Sequence, residues 1–117
     1  MLYSHANGKG KNMLHTSLVQ DVDGQMLVRH IETSNDCIEM LHLLDHDDTI
    51  IHRCGGPAFI RYEKSRTTSK WYKELEVWYN NSTIEKHNAP ASITYFENGL
   101  PSIELWSELG NNGNITK

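Results

Sequence analysis

Sliding the chain along itself by 33 residues lays Ile51, Pro57, Ala58, Ile60 and Tyr62 on Ile84, Pro90, Ala91, Ile93 and Tyr95, with Arg53 falling on Lys86. Such a duplication constrains the fold more than composition does, because each copy is one supersecondary unit that buries its apolar face only against a neighbour. In both copies the residues alternate as in a strand, and Pro57 and Pro90 stand at strand starts, where a missing backbone donor does least harm to the ladder. The same offset sets Glu74–Tyr79 on Leu41–His46 and the Asn80-Asn81 turn on Asp47-Asp48, which reads Leu41–His46 as a strand. A third echo joins Glu76-Val77-Trp78 to Glu104-Leu105-Trp106.

From residue 50 onward the pattern predicts strands over 50–54, 57–63, 71–79, 83–87, 91–96 and 102–107, an antiparallel meander of degenerate hairpin repeats. The second unit turns at Glu97-Asn98-Gly99, whose Asn-Gly can supply the positive φ angles of a two-residue hairpin turn; the first has a longer, more basic loop from Glu63 to Lys70. Upstream, aliphatic and β-branched residues over 13–20 and 25–32 flank Asp21-Val22-Asp23-Gly24 and predict another hairpin. Residues 34–44 fit two descriptions. Ser34 or Asn35 could cap a short helix with Cys37, Ile38, Leu41 and Leu44 on one face, whereas the repeat favours a strand. The chain of 117 residues reads as one mainly β domain: an arm, hairpin and helix-or-strand segment over 1–49, the repeat sheet over 50–110 and a flexible tail over 111–117. Within the first part, residues 1–12 read as an entry arm.

The segments Ile51-His52-Arg53-Cys54-Gly55-Gly56-Pro57-Ala58-Phe59-Ile60-Arg61-Tyr62 and Asn88-Ala89-Pro90-Ala91-Ser92-Ile93-Thr94-Tyr95-Phe96-Glu97-Asn98-Gly99 resemble the short hairpin repeats of small phage and bacterial proteins, variants of the MORN repeat. The unit resembled runs leucine-histidine-arginine, two acidic residues, glycine-proline-alanine, a strand to tyrosine, an asparagine-glycine turn, then glutamate-x-tryptophan-tyrosine, and the match covers roughly residues 41 to 110. Cys54 and Gly55 stand in place of the acidic pair, and Ala89 in place of a glycine. Links of such proteins to phage and toxin-antitoxin contexts imply a binding or inhibitory protein, and the resemblance transfers no catalytic residue.

With 11 Lys and Arg against 15 Asp and Glu, the formal charge of −4 repels a phosphate backbone and disfavours a general nucleic-acid binder. No apolar run approaches the roughly 20 residues that span a bilayer, so a soluble chain with no membrane partner is expected. Cys37 and Cys54 are read as reduced, cytosolic thiols.

Possible ligands crowd His42, Asp45, His46, Asp47, Asp48, His52 and Cys54, and imidazole with thiolate suits zinc; a weak metal set of His42, His46, His52 and Cys54 is the alternative to no metal and no cofactor. Asp21, Asp23, Gln25 and Glu32 match positions of a calcium loop, but Met26 occupies the place that needs glycine, and a hairpin turn explains them better. Gly8-Lys9-Gly10-Lys11 lacks the spacing of a phosphate loop, and no nucleophile motif stands out. The aromatic residues concentrate in the second half, and a small sheet cannot cover both its faces. Trp78, Tyr79, Tyr95 and Trp106 are therefore expected as apolar anchors for a protein partner, with Arg61, Lys64 and Arg66 setting orientation by charge.

The resulting expectation is a non-enzymatic binding module, a phage-type accessory protein that blocks or modulates a host protein by occlusion in the cytoplasm. The alternatives are a ligand- or metal-sequestering protein or small hydrolase using the cluster between His42 and His52, and an acidic mimic of nucleic acid. An exposed sheet edge also offers a route to a homodimer.

Overall fold

The computed structural model describes residues 12–107; nearly all of the expected entry arm, Gly8–Lys11 and the tail over 111–117 lie outside them. Ten strands form: β1 Met13–Gln20, β2 Met26–Thr33, β3 Cys37–Leu44, β4 Asp47–Ile51, β5 Phe59–Lys64, β6 Trp71–Val77, β7 Tyr79–Asn80, β8 Thr83–Ile84, β9 Pro90–Tyr95 and β10 Pro101–Trp106. Their antiparallel sheet runs β1-β2-β3-β5-β6-β9-β10, with β4 pairing β3 beyond the end of β5, and β7 and β8 make a separate small hairpin. The expected antiparallel, mainly β meander is what the chain forms, and among the described residues no helix is long and apolar enough to cross a membrane.

The helix alternative for 34–44 is corrected by β3. Its last four residues, Leu41 to Leu44, are all buried, so both faces of this stretch are apolar or covered and the period-2 signal disappears. Ser34 closes a tight turn, its N–H and hydroxyl both donating to the Cys37 carbonyl at 2.8 and 3.1 Å, where a helix cap would instead accept from the chain ahead.

Two hairpins share one turn design. The Asp21 N–H donates to the Gln25 carbonyl and the Gly24 N–H to the Asp21 carbonyl, with Gly24 at φ 91°; Phe96, Leu100 and Gly99 repeat this, with Gly99 at φ 90°. Asp23 and Asn98 each accept the backbone N–H two residues on, at 3.0 Å. The expected two-residue Asn-Gly turn is thus a three-residue loop in which only glycine takes the left-handed conformation. A two-residue turn with positive φ at both positions does occur, at Asn81-Ser82 between β7 and β8.

The 33-residue offset describes β5 and β9, at whose starts Ala58 and Ala91 are both fully buried. For the strands before them the structural offset is 36: His42 and Trp78 donate their N–H to Ala58 and Ala91, and accept from His52 and Glu85 respectively. Leu41 therefore corresponds to Val77, not Glu74, and Asp45-His46 is a turn matching Asn81-Ser82. The β3–β4 hairpin absorbs the three extra residues, which is why β4 starts at Asp47 and not near residue 50. Ile60↔Glu76 and Ile93↔Glu104 pair alike, so the Glu-x-Trp echo falls at equivalent cross-strand places.

On one face the cross-strand neighbours Leu41, Phe59 and Val77 join Leu43 in the core, with Ile51, Leu75 and Tyr79 packed on them. The opposite face buries Leu27, Leu44, Ala58, Ile60 and Ala91, together with the polar His42 and Glu76. His42 is fully enclosed: Arg29 Nε–H donates to its Nε2 at 3.0 Å and its Nδ1 lies 3.1 Å from the Ala58 carbonyl. A guanidinium only donates, so Nε2 carries the lone pair and Nδ1 the proton. Burial, helped by the charges of Arg53 and Arg29 against the opposing Ala58 bond, pulls the His42 pKa down from 6.5 to about 4.

The folded imidazole stays neutral where the unfolded one takes a proton, so its contribution is complete above pH 6.5 and is lost as pH falls towards 4. At about 1.4 kcal/mol per pH unit this is about 3 kcal/mol. Urea unfolding on either side of that window is expected to show the loss in the wild type and a flatter profile in His42→Gln; equal slopes in both would place the acid sensitivity elsewhere.

Candidate functional site

The expected anchors separate in space. Tyr79 packs on the Leu41–Phe59–Val77 cluster and belongs to the core. Trp106 closes the edge strand β10, and its indole N–H is buried without a hydrogen-bond partner among the described residues. Trp78 and Tyr95 come together through a residue the sequence did not single out, Glu76. The Tyr95 hydroxyl donates to Glu76 Oε1 at 3.0 Å, the Trp78 indole N–H reaches Oε2 at 3.3 Å and Lys73 Nζ lies 2.6 Å from Oε1. Burial between Ile60 and Ile93 works against ionisation of Glu76, but these three donors outweigh it and hold its pKa below the ordinary glutamate value.

The outer side of this network is an aromatic ledge with cations on it. Lys86 places its ammonium 3.6 Å from the centroid of the Trp78 ring, and Lys73 lies 5.1 Å from that of Tyr95. Lys73 is held by Glu76, whereas Lys86 has no carboxylate partner among the described residues. Trp78 and Tyr95 are both half-buried, so each ring is fixed in rotamer yet keeps surface to offer. Lys86 was visible in the sequence only as the repeat partner of Arg53.

The expected cations fare differently. Arg61 sits among Glu63, Glu39 and Glu74 at 3.3, 3.8 and 3.9 Å, where a β-bulge opposite Arg61 and Tyr62 brings in Glu74. Its charge is already matched inside the chain. Lys64 and Arg66 line an open polar cleft of about 530 Å³ with Asp36, Cys37 and Ser69. The loop beyond is well built: the Ser65 hydroxyl accepts from Thr67 and Thr68 N–H and donates to Glu97. Lys64 lies 5.8 Å from the Trp71 ring.

The residues His42, His46, His52 and Cys54 are not gathered: His42 is sealed inside and His46 lies in an exposed turn. Instead Asp21, Asp23, His52 and Cys54 bring ligand-type atoms within 4.8 Å of one another. Asp21 accepts backbone N–H from Cys54, Gly55 and Val22 at 2.7, 2.9 and 2.9 Å, and these bonds overcome the effect of burial to lower its pKa. His52 Nδ1 accepts the Asn81 backbone N–H at 3.1 Å. That donor is unambiguous, so the ring proton sits on Nε2, which faces the Cys54 sulfur at 3.6 Å.

This tautomer is the opposite of what either chemistry needs. A metal or a thiol proton would have to be taken by the Nε2 lone pair, which is absent while Asn81 holds Nδ1. The Cys54 thiol donates to Asp23 at 3.4 Å, and burial, that bond and the charges of Asp23 and Asp21 push its pKa up to about 11. The cluster ties the first hairpin to the loop over 52–57, with its thiol held protonated.

Alkylation of Cys54 by iodoacetamide at neutral pH is expected to be slower than that of a free thiol, and Asp23→Asn is expected to accelerate it several-fold by removing the nearest charge. Cys37→Ser isolates the signal. Rapid alkylation of Cys54 in the folded wild type would show an activated thiolate and restore the hydrolase reading.

Family models, curated proteins and solved structures were compared with the chain, and none matches it.

Proposed function

We propose that this protein is a non-enzymatic protein-binding module whose contact surface is the ledge of Trp78, Tyr95 and Lys86, and that it acts by occluding a partner's surface. The carrying observation is the 3.6 Å stacking of Lys86 on a Trp78 ring that Glu76 fixes from behind. Rigid aromatic side chains lose little entropy on binding and dominate interface energies, and an ammonium beside them selects a partner that presents a carboxylate next to an apolar group. Tyr79 and Arg61 drop out of the expected contact set, because the core and three carboxylates already use them. Lys64 and Arg66, on their separate cleft, contribute charge at the periphery.

The resemblance to MORN-variant hairpin proteins supports the same reading and gives it a setting: a phage-type accessory protein in the host cytoplasm that inhibits or modulates a host protein. A second surface has an observation of its own. Glu39, Glu63 and Glu74 stand around Arg61, and burial pushes the pKa of Glu39 and Glu74 upward. Such a carboxylate group is what the acidic-mimic alternative requires, and it predicts a complex that salt dissolves.

Affinity purification of the tagged protein from its native host, followed by binding measurements on the purified partner, tests the proposal. Trp78→Ala and Lys86→Glu are expected to weaken binding, Trp78→Ala by about 30-fold or more, as loss of a hot-spot tryptophan does. His46→Ala, in an exposed turn that is no part of the ledge, is expected to leave it unchanged. A complex indifferent to Trp78→Ala but dissolved by salt and by Glu74→Gln would overturn the ledge in favour of the acidic face.

A further inference from the structure

The two edges of the sheet are built differently. At one end β10 carries Pro101 and Glu104, and its register against β9 shifts twice, between Pro101 and Ile103 and between Leu105 and Trp106. Proline, inward or edge charge and bulges are the devices that stop an edge strand from pairing with another chain. At the other end β1 has none of them. Its eight residues, Met13-Leu14-His15-Thr16-Ser17-Leu18-Val19-Gln20, contain no Asp, Glu, Lys, Arg or Pro and pair with β2 without a register shift. Met13, Leu14 and Leu18 are 70, 62 and 60% exposed.

The direction of the open hydrogen-bonding groups follows from the hairpin. Asp21 N–H donates to Gln25, so Asp21 turns its backbone towards β2; by alternation Val19, Ser17 and His15 do the same. Leu14, Thr16, Leu18 and Gln20 turn their N–H and C=O away from β2, to the side where no other described strand lies. These residues also share one face of the strand.

From this we infer that β1 is a homodimer contact, pairing antiparallel with β1 of a second copy about a two-fold axis through Thr16. The sequence around Thr16 is self-complementary in that register. Leu14 lies opposite Leu18 of the second copy and Met13 opposite its Val19, His15 opposite its Ser17, and Thr16 opposite its own equivalent, so apolar residues meet apolar and polar meet polar. Paired residues in an antiparallel ladder must share both face and hydrogen-bonding phase, and only an even-sum register such as this one satisfies both for the outward Leu14, Thr16 and Leu18. Shifting it by one residue in each chain sets Leu14 against Gln20 and Leu18 against Thr16, losing every apolar pair on that face. A chain with net charge −4 repels its own copy at long range, and the charge-free β1 is where that repulsion is least. The dimer joins two sheets into one and leaves the Trp78 ledge, several strands away, free in each copy.

Sedimentation of the full chain over a range of micromolar concentrations, with hydrogen exchange read at Leu14, Thr16 and Leu18, tests the inference independently of any partner of the ledge. The expected result is a concentration-dependent dimer whose three outward amides become protected as it forms. Leu18→Pro, which removes an outward N–H and no β1–β2 hydrogen bond, and Leu14→Lys, an exposed position, are each expected to weaken the dimer at least about tenfold without lowering the melting temperature of the monomer. Thr16→Cys in a Cys37→Ser, Cys54→Ser background is expected to cross-link to itself on oxidation, as on-axis residues about 5.5 Å apart at Cα can. A monomer with unprotected amides would overturn the inference. So would a monomer protected at every dilution, which would assign the edge to another segment of the same chain, and so would a dimer that both β1 variants leave intact.

Discussion

The carboxylate of Asp21 holds together parts of the sheet that the strand ladders do not connect. It accepts three backbone N–H groups, two of them from Cys54 and Gly55 in the loop that carries the chain from β4 back to β5. The same loop sends its Arg53 N–H to the Tyr79 carbonyl and takes the Asn81 N–H on the His52 ring. One ionised group thus fixes a segment on which the first hairpin, the β3–β4 hairpin and the β7–β8 hairpin all converge. Hydrogen bonds to a charged acceptor are worth about 1.5 to 3 kcal/mol each, more than neutral ones, and two left unmade inside the fold would cost a comparable amount. A Cβ on Gly55 would come within 2.7 Å of the Val22 side chain and 3.2 Å of the Asp21 carboxylate, so any larger residue there displaces Val22 and crowds the carboxylate.

With the loop fixed, the two faces of the sheet are closed by different means. Ile51 and Tyr79, brought over by β4 and β7, cover Leu41, Leu43, Phe59 and Val77 with apolar contact alone. The other face buries a histidine and a glutamate among Leu27, Leu44, Ile60 and Ile93, and each finds its donors and acceptors: Arg29 and Ala58 for His42, and Lys73, Tyr95 and Trp78 for Glu76. Buried polar groups of this kind stabilise only when fully satisfied, and they then specify one register, because a slip of a single residue would strand each of them on the wrong face.

The legible part of this fold is the part governed by short-range pattern. Period-2 alternation, Asp-Gly and Asn-Gly turns and the Pro-Ala repeat locate the meander, and the two glycines at positive φ fall where those turn signals stand. Leu41–Leu44 escapes because a stretch covered on both faces has no alternation to read, and its apolar spacing then imitates a helix. The change of offset from 33 to 36 escapes for a related reason. Identical residues cluster after the Pro-Ala step, while the strand before it is held in place by backbone bonds to Ala58 and Ala91, which any residue can make. Trp78 and Tyr95 could be picked by residue type, but Glu76 and Lys73 reach Tyr95 across strands, Lys86 reaches Trp78 from beyond the β7–β8 hairpin, and Asp21 reaches Cys54 from 33 residues away.

The polar groups of the chain divide by what the fold has already done with them. Asp21, His52 and Cys54 have the residue types of a catalytic or metal-binding set, yet each is occupied: the carboxylate by backbone donors, the imidazole by Asn81 and the thiol by its proton and two neighbouring carboxylates. Arg61 is matched by three glutamates and Lys73 by one. Groups committed in this way hold a shape. Among the described residues, groups of another kind are uncommitted: the outer surface of two fixed aromatic rings, the Lys86 ammonium stacked on one of them and the backbone groups that β1 turns away from β2. Flat apolar surface, a single directing charge and unpaired strand edges are the materials of association between chains.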